Sequence, residues 1–164
     1  MQSFLFQLEN MGLSRWIREG GTLTGYPLIL FLHTMGMGVL VGLNATIDLR
    51  IVGFAPRIPI KTLERTYPLM WTGFAVNLTT GTLLFTSDAV KHFSNPVFWV
   101  KLGFIAAALV TLKCIRTKVF QDPRLDKEPV PTSWKILAVA SLACWFFAIT
   151  AGRLMAYLYE ILVY

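Results

Sequence analysis

Tyr26-Pro-Leu-Ile-Leu-Phe-Leu-His33-Thr-Met-Gly36-Met-Gly-Val-Leu-Val-Gly42-Leu-Asn44-Ala-Thr-Ile47 runs without an Asp, Glu, Lys or Arg. A bilayer core about 30 Å thick is crossed by roughly 20 helical residues at about 1.5 Å each. The stretch is long enough to span, and it carries one of the two histidines of the chain. An ionisable ring inside such a run is costly unless it faces protein, water or a ligand. What His33 faces is therefore the first functional question.

Working outward, three more runs of the same kind appear. The spacing predicts membrane helices over residues 26–51, 67–90, 97–117 and 133–161, in one domain covering 1–164. Composition agrees: 55% of the residues are hydrophobic and 15% charged, where a soluble domain has about 25% charged residues. Mean hydropathy is +0.58. Pro27 suits the first turn of its helix, and Gly38-xxx-Gly42 predicts a close helix approach. In the second run Asn77, Thr79, Thr80, Thr82 and Thr86 form a polar side expected to face the other helices. Tyr67, Trp71 and Trp134 are placed as interfacial anchors. Residues 3–19 alternate apolar and polar groups at helical spacing, as one or two short amphipathic helices lying on the membrane surface do. Ser14 is a candidate cap for the second. The fold class expected is all-α, an antiparallel four-helix transmembrane bundle with a short interfacial N-terminal helix.

Orientation follows from the basic residues. The loops after the first and third runs, with their flanks, hold Arg50, Arg57, Lys61, Arg65, Lys113, Arg116, Lys118, Arg124, Lys127 and Lys135. The other side holds Arg15, Arg18, Lys91 and Lys101. The positive-inside rule puts the first set in the cytoplasm and both termini outside. The net charge of +6 is thus a topology signal, and nothing suggests nucleic acid. No basic segment followed by a short apolar core and cleavage site opens the chain, so insertion is expected to rely on the first spanning helix. Cys114 and Cys144 sit in apolar runs without CxxC spacing, which removes the zinc-finger, thioredoxin-like and covalent c-haem readings.

In that topology each helix places an ionisable group in the outer half: His33, Asp88, Lys101 and Arg153. His33 and Arg153 come to similar depth, roughly 10 Å below the outer surface. Such an asymmetry reads as a polar pocket open to the outside. A haem b would use His33 as axial ligand, Gly36 one turn along as room for the macrocycle, and Arg153 or Lys101 as propionate partners. His92 is the only second histidine, yet it is about one turn above the end of the second helix. Asp88 would orient the site. Copper would use His33 with Met37, an i, i+4 pair of imidazole and thioether suited to Cu(I). A quinone is a further ligand for the same pocket. The structural alternative is an Arg153–Asp88 ion pair, with His33 hydrogen-bonded to a second-helix threonine. No GxSxG, HExxH, Walker or Rossmann pattern is present, so the reading is of a non-catalytic or electron-transfer membrane subunit, with copper handling and a purely structural partner of a larger complex as alternatives.

Tyr26-Pro27, Leu32-His33, Gly36, Gly42, Asp48-Leu49-Arg50, Gly53, Pro68, Gly81, Leu84-Phe85, Asp88, Asn95-Pro96 and Lys101, with Trp16-Ile17-Arg18, carry a resemblance. Through them the chain resembles a group of small four-helix bacterial inner-membrane proteins, and is distantly similar to the copper-resistance D membrane domain. The resemblance implies a multi-pass protein of the bacterial inner membrane with periplasmic termini. It singles out His33, Asp88 and Lys101. It implies no particular chemistry, since fold does not give function. The expected partners are the lipid bilayer and other membrane or periplasmic subunits.

Overall fold

The computed structural model describes the backbone of residues 2–20 and 23–163, and side chains as far as residue 155. The described residues form α-helices and one 3-10 helix, with no strand among them. In order these are α1 (Gln2–Glu9), α2 (Gly12–Glu19), α3 (Tyr26–Val52), a 3-10 helix (Ile60–Thr66), α4 (Tyr67–Ser87), α5 (Ala89–Ser94), α6 (Pro96–Lys118) and α7 (Thr132–Val163).

Three helices are long and apolar enough to cross a membrane: α3, α6 and α7 up to Met155. Their apolar windows are only 22%, 17% and 22% buried inside the protein. A soluble fold would cover such surface, whereas here Phe31, Met35, Val110, Ile136 and Phe146 stay exposed. Apolar surface left bare along whole helices is what a lipid solvent permits. The helix α4 is as long as a span, at 21 residues, but Asn77 and its threonines dilute it below those three.

The threonines are not all turned inward as expected. Thr79 and Thr82 are exposed, and their hydroxyls donate to the carbonyls of Ala75 and Leu78 on their own helix at 2.9 and 2.8 Å. A hydroxyl satisfied one turn back needs no partner helix, so it can face lipid. The second helix also ends earlier than residue 90. Asp88 leaves helical geometry at φ −139°, ψ 53°, and α5 starts afresh. Ser14 is no cap either: Met11 precedes α2, and Ser14 is buried inside it.

By internal contacts the chain forms two compact units, Met1–Leu40 with Leu69–Pro96, and Val41–Pro68 with Val97–Tyr164. In the first, α3 and α4 run antiparallel. A side chain at Gly36 would meet Gly73 O at 2.9 Å and the Asn77 N at 3.1 Å, and one at Gly73 would meet Gly36 O and Leu40 N at the same distances. Two glycines facing each other let the backbones touch, the means by which lipid-embedded helices gain packing. The expected Gly38 and Gly42 have nothing within 4 Å. The close approach is one residue-pair removed from the GxxxG reading, because a helix apolar all round does not reveal its buried face. Leu5 and Ile17 are buried as α1 and α2 dock on this unit. The Glu9 carboxylate accepts the Val90 N–H at 2.8 Å, and Arg18 donates to the Ser87 carbonyl at 3.2 Å. Charged side chains thus satisfy backbone groups at the start of α5 and the end of α4, the sites where helices leave them orphaned.

In the second unit α6 and α7 run antiparallel. Phe104 stacks on Phe147 at 5.2 Å, and Lys101 lies against Gly152. Gly53 ends α3 with φ +130°, a conformation that favours glycine. The following loop is ordered rather than plain. Arg50 donates to the carbonyls of Ile58 and Pro56, and Asp126 accepts the N–H groups of Ile60 and Lys61 at 2.8 and 2.9 Å. Tyr67 meets Phe120 edge-on at 5.4 Å below the Arg116 guanidinium.

Candidate functional site

His33 is half-buried on α3, against α4. Its Nδ1 lies 3.1 Å from the Asn77 carbonyl oxygen and 3.0 Å from Thr80 Oγ1. The Thr80 hydroxyl donates its own proton to the Val76 carbonyl at 2.7 Å. Both neighbours of Nδ1 are therefore acceptors, so Nδ1 carries the proton. In the neutral ring Nε2 then carries the lone pair. A reciprocal bond runs from Asn77 Nδ2 to the His33 carbonyl at 2.8 Å. Gly81 completes the seat: a side chain there would stand 3.1 Å from His33 Cε1. A histidine fixed through Nδ1 by a backbone carbonyl is oriented as metal-ligating histidines are, with Nε2 as the ligating nitrogen. The expected bond between His33 and a second-helix threonine is present.

Other expected site residues fall elsewhere. Gly36 provides no room for a macrocycle, since the α4 backbone fills the space beside it; its use is the helix crossing. Asp88 lies at the start of α5, and its carbonyl accepts the His92 ring Nδ1 at 2.7 Å. The His92 ring sits 6.2 Å from Phe85. His33 is level with Thr80 and Gly81, so Asp88 is roughly 10 Å farther along the axis. Two nitrogens on one iron stand about 4 Å apart, each about 2 Å from the metal, and His92 is too far up the unit to serve with His33. Met37 is half-buried one turn from His33. Among the described residues no group of three or more His, Cys, Asp or Glu could hold a metal ion.

Lys101 and Arg153 belong to the second unit. The Lys101 methylenes and ammonium come within 3.4 to 3.6 Å of where a Gly152 side chain would begin, so the missing Cβ makes the lysine's berth. Arg153 is exposed. Neither takes part in an ion pair among the described residues. Cys114 and Cys144 are half-buried and free.

One cluster escaped the sequence reading. Asn44, Asp48 and Ser141 are all buried. Asn44 Nδ2 donates both to Asp48 Oδ2, at 2.5 Å, and to Ser141 Oγ, at 2.9 Å. Among the described residues, Asp48 Oδ1 and Trp145 Nε1 are buried without a hydrogen-bond partner. The available signal was the i, i+4 spacing of Asn44 and Asp48 inside one apolar run, which places them on one face. Asp48 stands only four residues before the end of α3, where a carboxylate is read more readily as a helix end than as a buried group.

No family model matches the chain, and no curated protein or solved structure does. Functional argument therefore rests on the residues themselves.

Proposed function

We propose that this chain is a non-catalytic subunit of the bacterial inner membrane that presents His33 Nε2 to a redox ligand, a b-type haem first. The proposed setting is an antiparallel four-helix bundle with α4 as fourth span, α1 and α2 on the outer surface, and both termini periplasmic. The ten basic residues around the two long loops support that orientation.

The observation that carries the reading is the His33 tautomer. A ring whose Nδ1–H is given to Asn77 O and Thr80 Oγ1 carries its lone pair, and no donor, at Nε2 in the neutral form. That suits an axial ligand to iron, or an acceptor for the hydroxyl proton of a quinol. It does not suit hydrogen-bond donation to a quinone carbonyl. A bound haem would supply a one-electron couple; the protein's part is to fix the ring and set its basicity. The i, i+4 pairing of an imidazole and a thioether on α3 supports copper as a competitor, with His33 and Met37 as ligands.

The test is the absorption spectrum of protein purified from membranes grown with haem precursor. A Soret band that sharpens on dithionite reduction and vanishes in His33→Ala supports haem. A colourless, iron-free protein that is stable and stoichiometric with copper, with the copper lost in His33→Ala, replaces haem by copper. A colourless protein without metal, in which His33→Ala only lowers thermal stability, reduces the histidine to a register lock between α3 and α4.

A further inference from the structure

The second unit contains a buried acid with no counter-charge, separate from the His33 network. Asp48 is 0% exposed. One carboxylate oxygen is held by Asn44, and Asn44 in turn by Ser141. The other oxygen, Oδ1, has no hydrogen-bond partner among the described residues. No Lys, Arg or His nitrogen forms an ion pair with it among the described residues. The charged groups around it act at a remove. Tyr67, at the start of α4, stands in the fields of Asp48, Arg116 and Glu64, and the Arg116 guanidinium lies over the Tyr67 ring at 5.3 Å. On α7 the neighbour is Ser141, whose uncharged hydroxyl hydrogen-bonds with both Asn44 and Asp48.

A bare carboxylate out of water is among the most expensive groups a protein can bury, and it is retained when something compensates it. One negative charge calls for one positive charge. A divalent ion usually calls for several carboxylates, and among the described residues no group of three or more His, Cys, Asp or Glu is present. The donors at hand are oxygens: the carboxylate, the Ser141 hydroxyl and, after rotation of the amide, Asn44 Oδ1. Oxygen donors suit small hard cations. We propose that Asp48, Asn44 and Ser141 form a binding site for a monovalent cation, a proton or a sodium ion, taken up at Asp48 Oδ1. Uptake breaks no covalent bond. For a proton, an O–H bond forms at Oδ1 and the proton returns to water on release. This site does not depend on the His33 reading.

The experiment is thermal unfolding of the full-length protein in detergent, first in sodium chloride replaced stepwise by choline chloride at constant ionic strength, then across pH in choline alone. A ligand bound by the folded state alone raises the melting temperature, by about 5 °C or more at a hundredfold excess over its dissociation constant. A sodium-dependent rise identifies sodium. A melting temperature indifferent to sodium that falls as pH rises identifies the proton, since stability from a proton held only in the folded state is lost on going alkaline. In either case Asp48→Asn abolishes the response and Thr79→Ala, at an exposed position of α4, keeps it. Should Asp48→Asn not fold, Ser141→Ala must shift the sodium or pH midpoint at least tenfold. Wild-type protein flat in both titrations overturns the proposal, as does a response that Asp48→Asn and Ser141→Ala leave intact.

Discussion

Gly36→Ala places a methyl group where the α4 backbone already stands. The added carbon would sit 2.9 Å from Gly73 O and 3.1 Å from the Asn77 N. Ordinary carbon–oxygen contact begins near 3.4 Å, so α3 and α4 must part by about 0.5 Å. A gap of that size forfeits about a quarter of each dispersion contact across the crossing, and it stretches the 2.8 Å bond from Asn77 to the His33 carbonyl. Overpacking of this kind costs about 1–3 kcal/mol. Gly38→Ala is the internal control. It has nothing within 4 Å, and replacing a helical glycine with alanine there gains about 0.5–1 kcal/mol. For a chain of this length about 1 kcal/mol moves the melting temperature by about 2–4 °C. The two variants should therefore diverge: Gly36→Ala falls by about 5 °C, and Gly38→Ala rises by about 2 °C. Gly73→Ala should match Gly36→Ala, and the double variant should cost less than the sum, because the first methyl has already opened the crossing. Differential scanning fluorimetry of purified protein reads all four. If Gly36→Ala and Gly38→Ala shift together, in either direction, the reasoning about which face of α3 meets α4 is refuted.

Two further outcomes are expected on the loop side. Asp126→Ala removes the acceptor of both Ile60 N–H and Lys61 N–H; the loss should be about 1–2 kcal/mol, in line with a helix cap, with hydrogen exchange accelerating at residues 60–66 while α6 is unchanged. The Arg124 side chain and backbone N–H bonds hold the Asp122 carboxyl below its usual range. Its contribution is present above the ordinary aspartate value and is lost as pH falls through the lowered one, so an NMR titration should show a midpoint below that of a free aspartate, and Arg124→Ala, which keeps the backbone N–H bond, should raise it only part of the way back.

The hydrophobic lengths were legible in the chain because lipid thickness dictates them. The observed α3, Tyr26–Val52, differs by one residue at one end from the expected span, and α6 and α7 differ by one or two. The break at Asp88 was not legible: residues 88–90 keep helix-compatible side chains, and the interruption is a backbone event beside two docked N-terminal helices. Rotation about each helix axis was equally hidden. Soluble helices show their inner face by an apolar stripe, whereas α3 is apolar on both. That is why Gly38 and Gly42 were preferred to Gly36, and why exposed Thr79 was grouped with buried Thr80. The histidine's threonine bond followed from polarity alone. Its tautomer required knowing where the Thr80 proton goes.

The Asp126 clasp has a bearing on how the chain is made. Ile60 and Asp126 are 66 residues apart. At about 5–20 residues per second, a ribosome needs roughly 3–13 s to cover that distance. Throughout that interval the amides that open the 3-10 helix lack their acceptor, although α3 has already been synthesised. The segment between α3 and α4 is thus fastened last, by a carboxylate from the segment between α6 and α7, and the nascent protein stays unlatched there until its third long helix has left the ribosome.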